Sequence, residues 1–122
     1  MRNISEEEYK IGSRYLFLSM AIQVIQKDLE KLRSQTIFKI NEPYIRLLET
    51  IEKKAIEERR KLKIRISQEK IAVLETNQTD TFTEYTFYCK GKEEKRNYFK
   101  PAIRKKVLVI LEEYFEKAEM KE

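Results

Sequence analysis

An all-α fold is what this 122-residue chain predicts: a small helical bundle of three long helices and one short helix, with an irregular segment near residues 67–80. Three observations predict it. Turn-formers are scarce, with two Gly and two Pro, and charged residues (39%) nearly equal apolar ones (41%), as in long solvated helices. From Ile11 to Leu32, apolar residues recur in steps of four and three without a break (Ile11, Tyr15, Leu18, Ile22, Ile25, Leu29, Leu32), which is a helical seam. The length suits one core, so residues 1–122 are expected to form a single helical domain.

Ser5 followed by Glu8 has the spacing of a capping box, and Glu6, Glu7 and Glu8 suit the positive end of a helix dipole, so the first helix starts there and ends near Ser34 or Gln35. Thr36 to Ile40 is a connector. Asn41-Glu42-Pro43 reads as an N-cap with a first-turn acid and a first-turn Pro. Tyr44, Leu48, Ile51, Ala55 and Leu62 then fall within an arc of about 60°, so the second helix buries only a narrow stripe. Between Lys63 and Thr76 the alternation of Ile64, Ile66, Ile71 and Val73 competes with helix-favouring Lys, Gln and Glu; a helix to about Ser67 followed by an extended stretch is preferred. Asn77-Gln78-Thr79-Asp80 is the clearest loop.

Phe82 to Cys89 has the β-branched and aromatic content of a strand, yet Phe82, Tyr85 and Cys89 also share one helical face. A hairpin turning at Lys90-Gly91-Lys92 is the rival reading. A short helix stopped by Gly91 is preferred, because the rest of the chain reads as helix and a lone hairpin is marginally stable. Lys100-Pro101 opens the last helix, with Ile103, Val107, Ile110, Tyr114 and Ala118 along its main line.

The composition excludes several chemistries. With no His and one Cys, the usual catalytic triads, an intramolecular disulfide and Cys- or His-rich metal sites are ruled out. Four-helix carboxylate metal sites need Glu-x-x-His pairs, and two Gly do not make a phosphate loop, so no cofactor is expected. Glu112, Glu113 and Glu116 read as a solvated helix end and Cys89 as a structural thiol, so no enzyme is expected. The longest nearly apolar run, Tyr15 to Ile22, is too short for a membrane span, and the early acids argue against a signal peptide; a cytoplasmic protein is expected.

Two features exceed what a plain bundle needs. Tyr9, Leu16, Phe17, Met20 and Val24 give the first helix a second apolar side, with Gly12, Ser19 and Gln23 as a polar strip between the two. A helix apolar on two sides needs two sets of neighbours, either the chain's other helices or a second protein surface. Charge is also uneven. Residues 52–70 carry eight basic and four acidic side chains spread round a helix, which reads as a solvated face. Residues 90–106 carry eight basic and two acidic ones, and Arg104, Lys105 and Lys106 oppose the dipole of the last helix. Such an arrangement needs a partner: an internal one, from Glu6, Glu7, Glu8 or the acidic tail, or an external anion such as a phosphate backbone. Arg104 lies in the apolar arc of its helix and is expected to be partly buried and paired. Tyr98 and Phe99 are either an apolar anchor or stacking surfaces for bases.

An early apolar helix containing Ile25-Gln26-Lys27-Asp28-Leu29, a helix opened by Pro43-Tyr44, and Lys90-Gly91 followed by Asn97-Tyr98-Phe99-Lys100-Pro101-Ala102-Ile103-Arg104 together resemble the YhjD-like small proteins of spore-forming Gram-positive bacteria. The resemblance covers most of the chain. It implies a bacterial cytosolic protein and agrees with the helical reading of Phe82–Cys89, which stays open on physical grounds, and it carries over no activity or site residues. The function expected from the residues is a non-enzymatic interaction module that self-associates and binds a protein partner, with Tyr9, Leu16, Phe17, Met20 and Val24 as the interface. The alternative is a nucleic-acid-binding protein using Arg96, Lys100, Arg104, Lys105 and Lys106, with no membrane partner in either reading.

Overall fold

In the computed structural model, which describes residues 3–119, the capping box at Ser5 is complete. The Ser5 hydroxyl accepts from the Glu8 amide (3.1 Å), and the Glu8 carboxylate accepts from the Ser5 amide (2.8 Å), opening α1 (Glu6–Ser34). Asn41 is the N-cap residue of α2 (Glu42–Glu69), but its side chain makes no capping hydrogen bond. Its side chain works backwards: Oδ1 accepts from the Phe38 amide (2.9 Å), and Nδ2 donates to the carbonyls of Leu32 (2.9 Å) and Gln35 (2.7 Å). One of the last carbonyls of α1, that of Leu32, and the carbonyl of its C-cap Gln35 are thereby satisfied, and the connector is folded onto them.

The chain is α+β, and the all-α expectation is overturned. After α2, Lys70 takes a left-handed conformation (φ 58°), and three strands follow: β1 (Ile71–Gln78), β2 (Phe82–Cys89) and β3 (Lys92–Phe99), before α3 (Lys100–Glu119). They form an antiparallel sheet in the order β1-β2-β3. The segment expected to be irregular near 67–80 is the end of α2 and the whole of β1. Phe82–Cys89, expected as a short helix, is the central strand. Gly91 ends no helix. Lys90 (φ 51°) and Gly91 (φ 81°) are the two left-handed residues of a hairpin turn whose twist matches its strands, with Cys89 opposite Lys92.

The rejected hairpin is stable because it is not alone. β1 pairs with β2 from Ile71↔Cys89 to Gln78↔Thr83, with a bulge between Glu75 and Asn77, and α1 covers the inner face. That face carries Ile71 and Val73 on β1, Thr83, Tyr85, Phe87 and Cys89 on β2, and Lys92, Glu94, Arg96 and Tyr98 on β3. Gly12, expected in a polar strip, is where the sheet meets α1: a Cβ there would lie 3.1 Å from both Phe87 Cδ2 and Val73 Cγ2. Phe17, Leu18, Ile22, Ile25, Leu29, Ile51 and Phe87 form the fully buried centre. α2 buries only Ile51 and Ala55, in keeping with its narrow stripe, while α3 contributes Val107, Ile110 and Tyr114.

Candidate functional site

The sheet and α3 supply the second set of neighbours that α1 requires. Phe17 is 2% exposed and meets Tyr98 edge-on at 5.4 Å. The Tyr9 hydroxyl is 2.5 Å from that of Tyr98, its ring lies 4.9 Å from Phe87, and the Arg96 guanidinium sits 3.9 Å over its centroid. Leu16 shares a recess with Ile66, Ile71 and Val73, and Met20 is half-buried against the core. Of the five side chains expected to form an interface on α1, only Val24 is exposed. The first helix is central to its own domain.

The basic segment divides in two. Lys92 pairs with Glu8 (3.0 Å), the internal partner expected from the first turn of α1, while Arg96 pairs with Glu94 on its own strand and Lys90 reaches Glu69 at the end of α2 at 3.8 Å. Glu8 is held down to about 2, first by the Ser5 amide and then by Lys92. The helix half is open. Arg104 is exposed and has no ion pair among the described residues, contrary to the expectation of burial; it points off the buried line of Val107, Ile110 and Tyr114. Lys105 is also exposed and Lys100 half-exposed, neither with an ion pair among the described residues. Lys106 lies 5.6 Å over Phe17 and 5.8 Å over Tyr98.

Members of the two expected sites therefore meet. A groove of about 370 Å³ between α1 and α3 is lined by Tyr9, Lys10, Ser13, Arg14 and Phe17 on one side and Lys105, Lys106, Val109, Ile110 and Glu113 on the other. Its aromatic rings are not free to stack on bases, because Phe17 is buried and Tyr9 is covered by Arg96; Tyr98 nearby is buried as well. Phe99 lies on the outer face of the sheet, 5.7 Å from Phe82.

At the end of that groove a polar clamp ties the three helices together. Arg14 on α1 grips Glu58 on α2 through Nε (2.7 Å) and Nη2 (3.0 Å), and reaches Glu113 on α3 through Nη1 (2.9 Å). The Tyr114 hydroxyl donates to the same Glu58 carboxylate. Arg14 and then Tyr114 lower the Glu58 pKa against the opposing effect of burial. Burial, then Glu58, raise that of Tyr114. Tyr114 is buried, and Glu58 and Arg14 are half-buried, which marks a structural device.

The pole opposite the β2–β3 hairpin's pairing with α1's first turn is formed from other residues. Ile37, Phe38 and Ile40 of the connector, Tyr44 and Leu47 of α2, and Phe115 of α3 are all exposed, Ile40 by 65%. The rings of Phe38 and Tyr44 stack at 4.3 Å. Together with Leu32 and Leu48, and flanked by Asp28 and Lys31, most of these line an apolar groove of about 330 Å³. The sequence signal for it is three apolar residues within Ile37-Phe38-Lys39-Ile40, in a loop with no strand or helix to bury them.

Cys89 is fully buried, its thiol donating to the Glu69 carbonyl (3.2 Å), and burial followed by Glu8 raises its pKa. Among the described residues no cluster of acids and cysteine converges as a metal site, and no helix is long and apolar enough to cross a membrane.

These features define a small α+β domain in which a helical layer covers one face of a three-stranded antiparallel sheet. The chain belongs to the YhjD protein family, whose model matches residues 3–119. It is 37% identical over 114 residues to the uncharacterized protein YhjD of Bacillus subtilis (strain 168), covering 93% of this chain and 94% of that one. No solved structure matches.

Proposed function

We propose that this protein is a non-enzymatic interaction module that engages a protein partner through the apolar pole formed by Ile37, Phe38, Ile40, Tyr44, Leu47 and Phe115. The observation that carries the reading is the concentration of exposed large apolar side chains at this pole, rimmed by charged residues. Covering such a patch releases water at about 25 cal/mol per Å², and stacked aromatic rings beside a groove are what interface anchors consist of. Placing Glu at Phe38 and Leu47 tests it. Both side chains are about half exposed, so the fold should persist by circular dichroism. A partner recovered stoichiometrically with the wild-type protein and with a Lys61→Glu control should be lost from the F38E/L47E variant. Equal recovery with all three would overturn the reading.

A second reading, nucleic-acid binding, is favoured by one observation: Lys100, Arg104 and Lys105 are solvent-accessible cations with no ion pair among the described residues. Binding of this kind would be directed at the phosphate backbone and would fall steeply with salt. Titration with duplex DNA at low and moderate salt tests it. Loss of binding in R104E/K105E supports the reading, and salt-insensitive or unchanged binding removes it.

A further inference from the structure

The two edges of the sheet are unlike. β3 carries five charged residues in eight, Lys92, Glu93, Glu94, Lys95 and Arg96, the device by which proteins blunt an open strand edge. β1 carries only Glu75, with no Lys and no Pro. Among the described residues no strand pairs with its outer side. Its one protection is the bulge between Glu75 and Asn77, which leaves Ile71 to Glu75 as a regular edge. Leu74 on that edge is 55% exposed.

We propose that this edge pairs with the same edge of a second copy, joining two three-stranded sheets into one of six strands. The argument for a second copy is self-complementarity. An antiparallel, two-fold pairing centred on Val73 sets Val73 against Val73, Ala72 against Leu74, Ile71 against Glu75 and Lys70 against Thr76. The outer-face pairs of the regular edge, Ala72 with Leu74 on either side of the axis, are thus apolar, and no like charges face one another. Matched cross-strand pairs stabilise a ladder, and a two-fold axis counts every off-centre pair twice. The β1 edge shares no residue with the apolar pole, so the inference does not rest on the proposed function.

Charge-swapped edges test it. Ala72 and Leu74 are exposed, so an A72K/L74K variant should fold, but each Lys would face a Lys across the two-fold axis. The expected results by sedimentation are a dimer for the wild type, a twofold lower mass for A72K/L74K and for A72E/L74E separately, and recovery of the dimer when the two variants are mixed. F38E/L47E should remain dimeric, which separates failure here from failure of the pole. A wild type that is monomeric at its highest soluble concentration, or a dimer that survives A72K/L74K, would overturn the proposal.

Discussion

Replacing Glu58 by Ala removes the common acceptor of the clamp that joins α1, α2 and α3. Two losses follow. Arg14 keeps Glu113 but forfeits two charge-assisted bonds to Glu58, and because the pair is about 30% exposed, water recovers part of their value. Tyr114 is buried, so its hydroxyl loses its acceptor with little water to replace it, at about 1–3 kcal/mol. Together the cost should be about 2–4 kcal/mol, or a fall in Tm of about 6–15 °C for a chain of this size. Urea unfolding followed by circular dichroism measures it, and a cycle with Tyr114→Phe isolates the shared bond. Tyr114→Phe should cost about 1 kcal/mol in the wild type and close to nothing beside Glu58→Ala. Costs that add to within about 0.3 kcal/mol would refute the clamp.

Three further outcomes are expected. Glu8 titrates near 2 in the folded protein against its ordinary 4.5, so its contribution is complete above pH 4.5 and is lost as the pH falls towards 2; Glu8→Gln should flatten the acid limb of a stability curve over that window. Gly12→Val should destabilise by about 1–3 kcal/mol in urea unfolding, since its added carbons meet Phe87 and Val73, and a neutral result would mean the sheet is not seated on α1. R104E/K105E should unfold at a temperature equal to or slightly above that of the wild type, because neither residue has an ion pair to lose among the described residues and acids suit the start of α3; a clear fall in Tm would show a buried partner for Arg104.

The helices were legible because their signals are local. Ser5 and Glu8 announce the start of α1, the four-three repeat from Ile11 carries it, and Lys100-Pro101 marks the start of α3. The sheet was illegible because its stability is not local. Lys92–Phe99 has too many charges to read as a strand, and it becomes one through the ladder to β2 and through the Lys92–Glu8 and Tyr98–Tyr9 contacts, whose partners lie more than eighty residues away. With β3 unread, Lys90-Gly91 lost its meaning as a hairpin turn and Phe82–Cys89 defaulted to helix. The same gap hid the neighbours of α1: its second apolar side needs a covering surface, and the sheet with α3 provides one, with Phe17 on Tyr98 and Gly12 beneath Phe87. Arg104 failed for a smaller reason, since a wide apolar arc on a helix wheel does not say which of its margins the core reaches.

The central claim is that this protein meets its partner at the pole around Phe38 and not along α1. Photo-crosslinking in living cells tests it most directly, with a photoreactive residue placed in turn at Phe38, Leu47, Val24 and Lys61. The account expects one discrete adduct, of the same mass from positions 38 and 47 and absent from 24 and 61, which disappears when Ile40 is changed to Glu. An adduct from position 24 with none from 38 or 47 would contradict it and return the interface to the first helix.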